Sequence, residues 1–116
     1  METKVSEVKD YIRIEEYQAW VSKGVSPHID KYTPTVRGLW VTSGLVREAS
    51  EALEIFEKAL RKNQPFDVEK LKDELGDVLW YLTACAELNG LNLEDVLEHN
   101  ITKLNTRYYK ALEELV

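Results

Sequence analysis

The sequence predicts an all-α protein, a four-helix-bundle type of fold completed by oligomerisation. Apolar residues recur at three- and four-residue spacing in four separate stretches. No stretch alternates with the two-residue period of a strand, and Gly, Pro, Asn and Asp fall at the boundaries between stretches. At 116 residues, all four stretches belong to a single domain.

The first helix is expected over residues 6–23, opened by Ser6 and closed by Gly24. Its apolar positions are Val8, Tyr11, Ile12, Tyr17, Trp20 and Val21. Residues 24–35 carry two prolines and a glycine and read as a loop, from which His28, Lys31 and Tyr32 can reach over a site. The second helix runs from about Thr35 to Lys62, with Leu45, Ala49, Ala52, Leu53, Phe56 and Leu60 as its buried stripe. At about 100° per residue, Glu48 lies to one side of that stripe, Glu51 lies further round, and Ile55 falls between the two acids. An apolar residue between two acids implies that this second face is covered as well.

Pro65 breaks the second helix, and Asp67 caps a third that spans Val68 to Leu88. Its stripe is Leu71, Leu75, Val78, Leu79, Leu82, Cys85 and Ala86, flanked by Glu74, Asp77 and Tyr81. Gly90 stops this helix, and Asn92 caps a fourth that runs from Leu93 to about Leu115. Leu97, Ile101, Leu104, Tyr108, Ala111 and Leu115 form its apolar face, with Asn100, Lys103 and Arg107 lined up along the flank.

Composition narrows the function. The 44% apolar and 31% charged content is that of a folded soluble protein, and a net charge of −6 argues against general nucleic-acid binding. No apolar run is long enough to cross a membrane, and the first residues lack the apolar core of a signal peptide. The lone Cys85 rules out an intrachain disulfide and a multi-cysteine zinc site. A cytoplasmic location is the expectation.

The chemistry is concentrated in two acid pairs, Glu48-x-x-Glu51 and Glu74-x-x-Asp77. Residues three apart share a side of a helix, so two adjacent helices can aim all four carboxylates at one point. Carboxylates crowded at a core edge need a partner. A hard cation such as Mg²⁺ or Mn²⁺ is one, and a salt-bridge network with Lys103 and Arg107 is the other. A di-iron centre is disfavoured, because neither His28 nor His99 has a Glu three residues before it. Glu54, Glu57, Lys58 and Glu87 read as solvated charges.

The two acid pairs, separated by 22 residues, resemble the signature of the all-α nucleoside triphosphate pyrophosphohydrolases of the MazG and dUTPase-like superfamily. The likeness extends from Gly44 to Tyr108, through GLVREASEALEIFEK, GDVLWYL and Asn100-x-x-Lys103-x-x-x-Arg107-Tyr108. Arg47 departs from it, since the family often has a further acid at that position.

The resemblance implies Mg²⁺-dependent cleavage of a nucleoside triphosphate between the α and β phosphates. It implies Glu48, Glu51, Glu74 and Asp77 as metal-binding and catalytic residues, Glu48 being a candidate base. Tyr81, Asn100, Lys103 and Arg107 would contact substrate, and the chain would assemble as a homodimer or homotetramer. Trp20, Trp40 and Trp80 read as core or interface ahead of base-stacking surfaces. Phosphoribosyl-ATP is the alternative substrate, and a non-catalytic helical oligomerisation module the alternative outside enzymology.

Overall fold

The computed structural model describes residues 12–109, which form four α-helices. These are α1 (Ile14–Ile29), α2 (Pro34–Lys62), α3 (Val68–Leu88) and α4 (Leu93–Leu104), the last continuing into a π-helical turn over Asn105–Tyr109. No strand occurs among the described residues, in line with the all-α expectation. No helix among them is long and apolar enough to cross a membrane.

The first helix departs from its sequence reading. It begins at Ile14 and continues through Gly24 to Ile29, so the expected loop over residues 24–35 shrinks to a turn before Pro34. The expected opening at Ser6 lies outside the described residues. Val21, Val25 and Ile29, four apart, are all fully buried. Burying each contributes roughly 1.5–3 kcal/mol, which together outweighs the ~3 kcal/mol that a proline costs inside a helix. The Arg37 side chain closes the turn by donating to the carbonyls of Asp30 and Tyr32.

α2 starts as Pro at the first helical position allows, with the Thr33 hydroxyl accepting from the Val36 amide. It ends where Asn63 adopts a left-handed conformation, two residues before Pro65. Asp67 caps α3 by accepting from the Lys70 amide at 3.1 Å. The short connector makes α2 and α3 an antiparallel hairpin, the main packing interface of the protein.

Which faces meet in that hairpin is the second correction. The buried residues of α2 are Val41, Gly44 and Ile55, with Glu48 and Glu51 half-buried between them. The stripe expected to be core lies largely open, with Leu53 59% and Leu60 85% exposed. On α3, Leu75, Leu79 and Leu82 are likewise exposed, whereas Thr83, Ala84 and Ala86 are buried. α2 therefore has two apolar faces, and the one carrying the acids packs within the protomer.

α1 lies against α3, and Val21, Val25, Ile29, Val41 and Ala84 form a small core bordered by Tyr17, Trp80, Cys85 and Leu88. α4 packs on α1 and α3. Gln18 fastens the three: its amide nitrogen donates to Glu87 and to the Leu91 carbonyl, and its oxygen accepts from the Leu93 amide at 2.7 Å. Glu87 is therefore hydrogen-bonded rather than merely solvated. The α-helical part of α4 stops at Leu104, short of the expected Leu115, and the residues from 110 onward lie outside the description.

Candidate active site

The antiparallel register of the hairpin makes the site. As numbers rise along α2 they fall along α3, so Gly44 meets Tyr81 while Glu48 and Glu51 meet Asp77 and Glu74. Glu48, Glu74 and Asp77 each offer an oxygen within 4.8 Å of the others. Glu51 sits beside Glu74, close enough for their carboxyl groups to hydrogen-bond. The four acids singled out in the sequence thus converge, three as a tight trio and the fourth against it.

Two of these oxygens have no partner. Oε2 of Glu48 and Oε2 of Glu74 are buried and make no hydrogen bond. A buried carboxylate oxygen without a donor is costly, so the cluster demands a positive ligand or a proton. The Glu51 carboxyl beside it, which favours the form of Glu74 that carries and donates the proton, together with burial and the neighbouring Glu48, pushes Glu74 up to about 7. Burial also raises Glu48, with Glu51 and Asp77 adding repulsion. Three or four hard oxygen donors from two rigid helices, two of them orphaned, fit a divalent cation of the Mg²⁺ or Mn²⁺ type.

Tyr81 flanks the trio. Its ring lies over Gly44, where an added Cβ would overlap ring atoms, so only glycine allows this approach. Its hydroxyl accepts from Arg47 Nη2 at 3.0 Å, and the same guanidinium pairs with Glu48 at 3.7 Å. Trp40 and Trp80 border the ring, with centroids 6.2 Å and 5.1 Å away. Trp80 packs on the core, whereas Trp20 and Trp40 are exposed.

Asn100, Lys103 and Arg107 stand apart from this centre. All three are exposed on α4 and its π-helical turn, and α4 packs on α1 and α3. Arg107 lies in the widened turn, which breaks the straight line expected with Asn100 and Lys103.

Residues 39–111 match the MazG nucleotide pyrophosphohydrolase domain. The chain belongs to that family. The MazG match takes in all four acids, Tyr81 and the polar trio of α4, and it leaves α1 outside. The chain also resembles the Gene 37 protein of Mycobacterium phage L5, at 36% identity over 78 residues, 63% of this chain and 68% of the phage protein. No solved structure matches.

The sequence reading of this MazG domain missed two parts of the site. Burial of Tyr17 on α1, together with the charge of nearby Asp77, raises its phenol. Lys58, Arg61 and Lys70 line a cavity that begins at Glu51 and Glu74. A signal for the cavity was present: Lys58 lies seven residues after Glu51, and Lys70 lies four before Glu74, both helix-face spacings. Lys58 and Glu54, read as solvated charges, both line the cavity.

Proposed function

We propose that the protein hydrolyses a nucleoside or deoxynucleoside triphosphate to the monophosphate and pyrophosphate, with Mg²⁺ as cofactor and Mn²⁺ able to replace it. The observation that carries this reading is the pair of orphaned oxygens on Glu48 and Glu74, two acids that converge with Asp77 across the hairpin. When bound, the cation supplies charge to offset the phosphates and acidifies a water for attack at the α-phosphorus.

Glu48, Glu74 and Asp77 would hold the cation. One carboxylate must also take the proton of the attacking water, and Glu51, which stands beside the trio, is our assignment. The bond from the α-phosphorus to its bridging oxygen then breaks, and that oxygen leaves with pyrophosphate. Tyr81, fixed by Gly44 and Arg47, borders the nucleotide on the aromatic side.

Lys103 and Arg107 would hold phosphate oxygens, and Asn100 would add a hydrogen bond, once a second copy brings α4 over the hairpin. The exposed apolar stripes of α2 and α3 favour such a homodimer or homotetramer. A nucleotide-pool role in the cytoplasm suits this reading.

Chromatography of a panel of canonical and modified nucleoside triphosphates incubated with protein and Mg²⁺ tests the proposal, with Glu74→Gln as control. Monophosphate and pyrophosphate in equal amounts, lost in the variant, are the expected products. Diphosphate and orthophosphate would place the cut at another bond and refute the mechanism. No turnover of any of them, with turnover of phosphoribosyl-ATP, would replace the substrate.

A further inference from the structure

The groove between α2 and α3 has a direction. Before the carboxylates, along α2, come Trp40, Gly44 and Arg47, facing Tyr81. After them comes a cavity of about 620 Å³, within the roughly 300–1,000 Å³ of small-molecule sites. Glu51 and Glu74 line it together with Lys58 and Arg61 of α2 and Lys70 of α3.

None of these three cations is in an ion pair among the described residues. The other acids of the cavity are Glu54 and Asp67, and Asp67 is already engaged as the cap of α3. Lys58 lies seven residues beyond Glu51, about 10 Å along the axis, and Arg61 about 15 Å. Long, flexible stems let both charged heads lean back toward the acids.

The groove therefore runs from aromatic rings through carboxylates to free cations. A nucleoside triphosphate presents its base, its α-phosphate and its terminal phosphates in the same order. We propose that the cavity seats the β- and γ-phosphates, with Lys58, Arg61 and Lys70 as their anion-binding residues, and that the base lies toward Trp40 and Tyr81.

This inference rests on the proposed hydrolysis and adds the direction of the substrate. Pyrophosphate, the leaving group, stays in the cavity when the bond breaks and departs from the cationic end. Arg47 belongs to the opposite end, where Tyr81 and Glu48 already occupy it. Lys103 and Arg107 reach phosphate only through a second copy, whereas the cavity cations are in place within one protomer.

Calorimetric titration of the full chain with inorganic pyrophosphate in Mg²⁺, and separately with nucleoside monophosphate, tests the proposal. The variants are Lys58→Ala/Arg61→Ala, Lys70→Ala and, for comparison, Lys103→Ala/Arg107→Ala. All three cavity cations are exposed, so their removal leaves the fold in place, which circular dichroism checks. The expected result is a loss of pyrophosphate affinity of roughly tenfold or more in the cavity variants, as for one charge-assisted hydrogen bond. Monophosphate affinity should hold, and Lys58→Arg should retain pyrophosphate binding.

Unchanged pyrophosphate affinity in the cavity variants would overturn the proposal, as would an equal loss for the monophosphate or no pyrophosphate binding by the wild type. Because the titration needs no turnover, a wild type that binds pyrophosphate here yet hydrolyses no nucleotide would refute the reaction and leave the anion site standing.

Discussion

Gly44→Ala separates packing at the site from helix propensity, because the two give opposite signs. Alanine in place of glycine inside a helix is favourable by about 1 kcal/mol. At Gly44 the new methyl would overlap Cδ1, Cε1 and Cζ of Tyr81, whose ring is bordered by both Trp40 and Trp80. Overpacking of this kind costs about 1–3 kcal/mol, and neighbours on both sides of the ring put it in the upper half of that range. The net expectation is a destabilisation of about 1–2 kcal/mol, seen as a fall in Tm of about 5–15 °C. In a Tyr81→Ala background the overlap is gone, so the same change should stabilise by about 1 kcal/mol. Thermal melts of the four proteins of this cycle should yield a coupling of about 2–3 kcal/mol. A rise in Tm for Gly44→Ala in the wild-type background would refute the close Gly44–Tyr81 approach, and with it the register that brings the acids together.

Three further outcomes are expected. Glu74→Gln should abolish turnover while raising the Tm of the metal-free protein at pH 8, where Glu74 is ionised and the substitution removes a charge from a crowded acidic cluster, and unfolding of this variant would assign Glu74 a structural role instead. Metal-free protein should lose stability as pH rises: Glu74 keeps its proton up to about 7 when folded but only to about 4.5 when unfolded, so the folded state binds the extra proton between these values. Melts at pH 5 and pH 8 check this, and saturating Mg²⁺ should reverse the trend by binding the ionised form. Leu53→Glu/Leu60→Glu, on the exposed stripe of α2, should convert an oligomer to a 13.4 kDa monomer by light scattering, and a wild type already monomeric would remove the basis for assembly.

The site was more legible in the sequence than the packing around it. Three-residue spacing and helical period suffice to bring Glu48, Glu74 and Asp77 together once α2 and α3 form a hairpin, and the connector at Asn63–Asp67 enforces that hairpin. The cap at Asp67 and the break before Pro65 are likewise local, whereas the cap expected of the Asn92 side chain is not made. The choice of face was not legible. A helical wheel assigns the core to the wider apolar stripe, yet α2 has two, and Leu53 and Leu60 are exposed while Ile55 is buried. Only the position of α3, held by Gly44 against Tyr81, decides between them. The length of α1 failed for a related reason. Gly24 and Pro27 are local stop signals, and the distant partners of Val25 and Ile29 override them.

The same arrangement explains why the site and the assembly should be coupled. Among the described residues the buried core cluster is small, five residues shared by α1, α2 and α3. Against it stand two orphaned carboxylate oxygens and long apolar stripes left in water. Each is unfavourable alone, and on the proposed reading each would have a remedy outside the chain: a cation for the oxygens, a second copy for Leu53, Leu60, Leu75 and Leu79. Both remedies act on the α2–α3 hairpin, one on each of its apolar faces. A cation that draws Glu48 and Glu74 together stiffens the hairpin and presents a better-ordered outer stripe. Association would in turn fix the separation of the two helices and hence of the acids. Linkage requires the effect to be mutual. Mg²⁺ should therefore tighten self-association by some factor, and dilution below the dissociation constant of the assembly should weaken Mg²⁺ binding correspondingly. Sedimentation at several protein concentrations, with and without Mg²⁺, measures that factor, and a value of one would show the two faces of the hairpin to be independent.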